Sequence, residues 1–554
     1  MRRALLLGLL FACRGETGVD PLPEPEDPLA ALVIETPAPA TWTAVGRAEV
    51  TGTYDNVEDV RINGEVATTT DTAFSGGVDL IRGTNLVEAT GTSPGGTTYA
   101  THHAVIAGDT GNPELPVEDA ALIRVNEPGL DRISALASGL ITGDMIAGLL
   151  VTGDPIYELT GDPSVTVTPT AFSLGGVGMD IDPGEGTARL ELTLTDLSIS
   201  ADVFGRYGSG YAELSQTITA EKVVVTGTLG VTVVNGRFQT TLTDVDVVIT
   251  GFGLDTSKWP TWLVGELTDL VLTEVVEGAL RLAITEVLPP VLDEQLNSLE
   301  LSFDVELLAR LLSVEADLTG ATFDPDGLAV NVDLGVMIDG VNPVSAPGYL
   351  VAPDATPTPD HTSDLAVGVA DDMLNLATFE AWRAGMLTYQ LSTEDGTLPG
   401  YVLDAIGGAR TGIVTIRADL PPTIVEVDGT LRAQVGELSV RLDTIDGANG
   451  EYVIMAVGGH IDLDLSVQDG VMKVGFGEKD LRITVRETDW SGSLVEATEQ
   501  IEGLLPLDIA LGLLEDIEIP LPTFAGLTVK SATVSRDAST VHTLVGVSLE
   551  PAPE

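Results

Sequence analysis

The chain has 554 residues, 44% of them apolar, and its 26 Lys and Arg face 84 Asp and Glu for a net charge of −58. That length supports several buried cores, while so acidic a surface repels phosphate-rich partners and excludes nucleic acid. The excess carboxylates read as a solubilising surface, and Cys13, the only cysteine, permits no intrachain disulfide.

The N-terminus, "MRRALLLGLLFACRGETG", has a basic start and a short apolar stretch from Ala4 to Ala12. That stretch cannot span a bilayer as a helix, but it suits a secretory signal, expected over 1–12. "LFAC" resembles the lipobox of bacterial lipoproteins, in which the cysteine becomes the lipidated first residue. Cys13 is therefore expected to carry lipid at the head of a polar, Pro-rich tether, 13–28. Arg14 after the cysteine resembles export to the outer membrane, facing either the periplasm or the cell surface.

Residues 29–107 alternate apolar and polar in short runs between Gly, Asn and Pro turn signals, the pattern of a small all-β sandwich. "VRINGE", "FSGGVDLIRGTNLVEATGTSPGG" and "HHAVIA" resemble the immunoglobulin-like modules of bacterial surface proteins, which usually space or present another domain. "GDTGNPELPVED", 108–119, reads as a linker. Beyond it, long alternating runs at 192–203, 221–254, 429–445 and 459–488 predict extended antiparallel strands with one wet face. Helical patterns fall at about 128–150, 260–298, 370–384 and 491–516. The order helix, strands, long helix appears twice, which suggests two related halves, 120–300 and 301–554, each a curved sheet against helices.

Two helices carry more apolar surface than one contact consumes. From Pro260, which fits N1, Glu266, Asp269, Glu274, Glu277 and Arg281 form one charged stripe and nearly everything else is apolar. Such a helix lies inside a large core or lines a ligand; its charges argue against a membrane span. In "DLAVGVADDMLNLATFEAWRAGML", Asp371 and Asp372 favour a helix start and Gly385 a stop. Met373, Leu374, Ala377, Ala381 and Ala384 share one face. Leu376, Phe379 and Trp382 fall elsewhere and need a second apolar surface: another part of the fold, a partner or a ligand.

Enzyme chemistry finds little support. His102, His103, His361, His460 and His542 show no HExxH or Cys-containing metal spacing, and GxSxG and phosphate-loop motifs are absent. No catalytic residue, cofactor or metal site is expected. The acidic turns "DIDPGEG" and "DPDG" complete no calcium loop.

Several segments resemble, in order, the bactericidal/permeability-increasing protein-like, or tubular lipid-binding, family. They are "ALIRVNEPGLDRISALASGLI" (121–141), "DLSISADV" (196–203), "WLVGELTDLVLTEVVEGALRLAITEVLPPVLDEQLNSL" (262–299), "VADDMLN" with "WRAGML", and "LPLDIALGLLEDIEIPLPTFAGLTVKSATVSRD" (505–537). The resemblance implies an α+β fold, a boomerang of two barrels in which long curved antiparallel sheets pack with long helices. It implies a non-catalytic lipid-binding or lipid-transfer protein, with phospholipid or another acyl lipid held between barrel and helices. The family's disulfide is impossible here, and its basic endotoxin-binding tip is not carried over. Expected lipid-contacting residues are Ile133, Leu136, Leu140, Leu263, Leu267, Leu270 and Val271 in the first half. In the second half they are Leu376, Phe379, Trp382, Leu494, Ile501 and Leu504. Trp259 and Trp262 are candidates for a lipid interface. The contrasting expectation is a structural or adhesive surface lipoprotein without a ligand.

Overall fold

A computed structural model describes residues 31–552 apart from 256, 258, 261–262, 264–268, 308–309, 340–345, 354–355, 359, 399–410, 445–451, 469, 489–517, 538 and 540. The described chain is mostly sheet, with several curled sheets and four helices among the described residues.

A seven-stranded antiparallel sheet forms the centre. Two of its strands, Val117–Asn126 and Leu365–Ala370, lie side by side with Ile123 opposite Val367. Each runs straight into a helix, Glu127–Leu140 and Asp371–Arg383. Outward from the first come Gly327–Ile338 and then Arg310–Asp324; outward from the second come His542–Pro551 and then Leu527–Asp537. The order strand, helix, curled sheet, closing hairpin is thus present twice, and the two copies meet at this central pair.

Each helix leads into a sheet of long strands. In the first sheet Ala188–Tyr207 pairs with Gly210–Val234, which pairs with Arg237–Thr250. Alternation puts Leu190, Leu192 and Leu194 inside, but past Asp196 the buried positions become Leu197, Ile199 and Ala201. Asp196 has φ +50 and is skipped in the pairing with the next strand. The register is the same on both sides of it, because Glu221 opposite is skipped with it, so the two strands change parity together: Ile218 and Ala220 are buried before Glu221, Val223 and Val225 after it. Asp tolerates the left-handed conformation better than most side chains. Asp244, φ +52, in Arg237–Thr250 and Glu437, φ +51, in Thr430–Thr444 of the second sheet lie at bulges, where one strand carries an extra residue and the register shifts. Bulges bend the strand that carries them and increase its local twist.

The N-terminal region forms a four-stranded and a five-stranded sheet. Ile34, Val50 and Phe74 from one and Val60, Val87 and Val105 from the other make a single apolar cluster. This region packs directly on the second curled sheet. Thr84 donates its backbone N–H to Gln434 Oε1 at 2.8 Å and Ala104 donates to Glu437 Oε1 at 2.6 Å. Arg486 ion-pairs with Glu437 and donates to the His102 carbonyl at 3.2 Å. Residues 108–119, expected as a linker, hold Thr110–Gly111, paired with Tyr349–Leu350, and the first residues of Val117–Asn126.

Candidate functional site

The long helix Asp269–Leu296 packs against Arg237–Thr250 and the two shorter helices of the first half. Val276, Leu280, Ala283, Ile284, Leu288, Val291 and Leu292 recur at helical spacing and are buried. They form the stripe that meets the sheet. Its C-terminal end is fastened by polar contacts: Phe238 N–H donates to Asn297 Oδ1 at 2.9 Å, Asn297 Nδ2 donates back to the Phe238 carbonyl at 2.9 Å, and Thr240 N–H donates to Asp293 Oδ1 at 2.6 Å. On the other side Leu282 is 66% exposed.

The first-half candidates separate. Ile133 is buried in the main apolar cluster and Leu136 packs against it, whereas Leu140, at the end of its helix, is 46% exposed. Leu263 is buried in a second cluster, with Val165, Val167, Val203 and Trp259, and Phe252 and Leu254 touch both clusters. Leu270 and Val271 fall in the first turn of the long helix. Leu267, Trp262, Leu494, Ile501, Leu504 and Cys13 lie outside the described residues.

Leu376, Phe379 and Trp382 are brought together. Leu376 and Phe379 are buried in the main cluster, and the Phe379 and Trp382 rings sit 5.6 Å apart at a 50° tilt. The surround that satisfies them belongs to the fold. Asn375 Nδ2 donates to the Ile424 carbonyl at 3.0 Å, and its Oδ1 accepts from Ile424 N–H at 2.7 Å. Thr378 donates to the Pro422 carbonyl at 2.9 Å, and Trp382 Nε1 to that of Ala418 at 2.8 Å. The helix Asp371–Arg383 is therefore seated on strands of both the second and the central sheet.

Its N-terminus is held as firmly. Asp371 has no exposed surface and takes a two-pronged contact from Arg536, at 2.7 and 3.0 Å. Burial pushes its carboxyl above the usual range and Arg536 works against that shift. Asp372 accepts from Ala352 N–H. Sequence reasoning missed this polar framework of Asp371, Asn375, Glu437, His102 and Arg536. The one available signal was a lone amide or charge inside an otherwise apolar pattern.

The chain is similar to the structure of lipopolysaccharide binding protein. The match covers 78% of this chain and 100% of that one, at 14% sequence identity and a TM-score of 0.45. P47 of Clostridium botulinum E1 matches over 79% of this chain and 100% of that one, at 7% identity and a TM-score of 0.31. No protein-family model matches, and neither does any curated protein.

Among the described residues no group of three or more His, Cys, Asp or Glu side chains is placed to hold a metal ion. No single helix among them is long and apolar enough to cross a membrane; only the bent pair Glu127–Leu140 and Gly143–Leu150, at 61°, reaches that composition jointly.

Proposed function

We propose that the chain is a non-catalytic lipid-binding or lipid-transfer lipoprotein of the bacterial cell envelope. In this reading lipid on Cys13 anchors it to the outer membrane, residues 29–107 are an immunoglobulin-like module, and the two later halves form a boomerang of lipid-holding barrels. The observation that carries the reading is the duplicated unit of curled sheet and apolar helix, in the chain order that the sequence resemblance implies. An apolar groove between such a sheet and helix would stabilise an acyl chain by about 0.8 kcal/mol per CH₂ removed from water, so shape and apolar walls suffice without a catalytic group.

The test is to purify the full chain under native conditions, extract it with organic solvent and analyse the extract by mass spectrometry. Acyl lipid in stoichiometric amount is expected; repeated lipid-free preparations would sink the reading. A second reading, a structural or adhesive lipoprotein without ligand, draws on the burial of Ile133, Leu376 and Phe379 in one continuous apolar cluster. Lipid-free preparations of a stably folded chain would favour it.

A further inference from the structure

A cleft of about 620 Å³ opens where the N-terminal sheets meet the second curled sheet. It falls within the ~300–1,000 Å³ span of pockets that take a small organic molecule, and junctions between units are frequent places for them. Leu86, Glu88 and Thr90 lie on one wall; Gln434, His460, Asp480 and Arg482 lie on the other.

His460 and Asp480 stand directly opposite each other on neighbouring strands, so both side chains share a face. Arg482, two residues further on, returns to that face and ion-pairs across the cleft with Glu88. Gln434 commits its oxygen to Thr84 N–H at 2.8 Å, which leaves its amide N–H groups to donate. The side chains of His460, Asp480 and Thr90 make no hydrogen bond or ion pair with any described residue. An uncommitted carboxylate, imidazole, hydroxyl and amide thus converge on one space.

Their balance selects the ligand class. Glu88 and Asp480 against Arg482, in a chain of net charge −58, disfavour an anion. No Phe, Tyr or Trp is among the lining residues to take a quaternary ammonium. A neutral polyhydroxylated ring meets what is left. Adjacent hydroxyls donate to one carboxylate and accept from guanidinium or amide N–H groups, while the C–H face of the ring rests on Leu86.

We propose that this cleft binds a neutral saccharide, held between the N-terminal unit and the second sheet by Asp480, His460, Gln434 and Thr90. The inference stands apart from the lipid reading and concerns a different part of the molecule. It is tested on the full chain by saturation-transfer NMR and calorimetry with maltose, cellobiose and diacetylchitobiose, using glucosamine and glucuronic acid as charged controls. Binding of at least one neutral disaccharide is expected. It should weaken at least tenfold in Asp480→Asn and His460→Ala, whose thermal midpoints should match the parent's because neither side chain supports the fold. Silence from all three neutral sugars, binding unchanged in both variants, or binding of the charged controls alone would each overturn it.

Discussion

Asn375 shows how much one side chain does at the junction of the sheets. Its amide completes two buried backbone groups of Ile424, and leaving such groups unpaired costs about 1–3 kcal/mol each. Asn375→Ala should lower the urea midpoint by an amount equivalent to about 3 kcal/mol, and Asn375→Asp, which cannot donate to the Ile424 carbonyl when ionised, should do no better. His102 sets a pH dependence. It is buried at the interface with the second sheet, and burial, then Arg486, His103 and Arg482, bring its pKa from 6.5 down to about 4. The unfolded chain therefore binds this proton more tightly than the folded one. Stability is full above pH 6.5 and falls as the pH drops from there toward 4, by on the order of 3 kcal/mol from this residue. In His102→Leu the difference in urea midpoint between pH 7 and pH 4.5 should be smaller than in the parent; an equal difference would remove His102 from the account.

At the scale of strands and helices, the parity change at Asp196 decides what faces inward. Deleting Asp196 would slip everything after it by one residue against Gly210–Val234, setting Leu197 opposite Glu221 and Ile199 opposite Thr219 in place of Ala220 and Ile218, so that variant should fail to give soluble protein. Asp196→Gly should melt within a few degrees of the parent, because glycine accepts φ +50 freely, and circular dichroism checks both. Much of the element layout was legible in the sequence. The runs 192–203, 221–254, 429–445 and 459–488 lie mainly in long strands, and the helical pattern near 128–150 became two helices with Thr142 as the N-cap of the second. The parity change at Asp196 leaves a mark, the step of three from Leu194 to Leu197 in the apolar positions, but that step does not say which residue adopts the left-handed conformation or that the neighbouring strand changes parity with it. The seat of Asp371–Arg383 was not legible either. Its wheel showed that Leu376, Phe379 and Trp382 needed an apolar neighbour, but Ile424, Pro422 and Ala418 come from strands that only the folded chain brings near.

Across the whole molecule, the N-terminal unit is bound to the body by contacts more than three hundred residues apart in sequence. Gly436 and Gly458 permit the close approach. A Cβ on Gly436 would stand 2.6 Å from Ala104 Cβ and from Thr84 Cγ2, and one on Gly458 would stand 2.5 Å from a Leu86 methyl. Gly436→Val should therefore wedge the interface open. Limited proteolysis should then cut within residues 108–119 faster than in the parent, and small-angle scattering should report a larger radius of gyration. Unchanged cutting and radius would mean that the strand pair Thr110–Gly111 with Tyr349–Leu350 holds the unit without this contact.

The central pair of strands has one more consequence. Val117–Asn126 and Leu365–Ala370 occupy equivalent places in the two repeats and run antiparallel, with Ile123 facing Val367, which is the relation that an isologous dimer has across its axis. A chain holding a single repeat would present at that position a bare edge complementary to itself. The present molecule has that dimer's contact built into one polypeptide, where neither dilution nor a competing copy can separate the two halves.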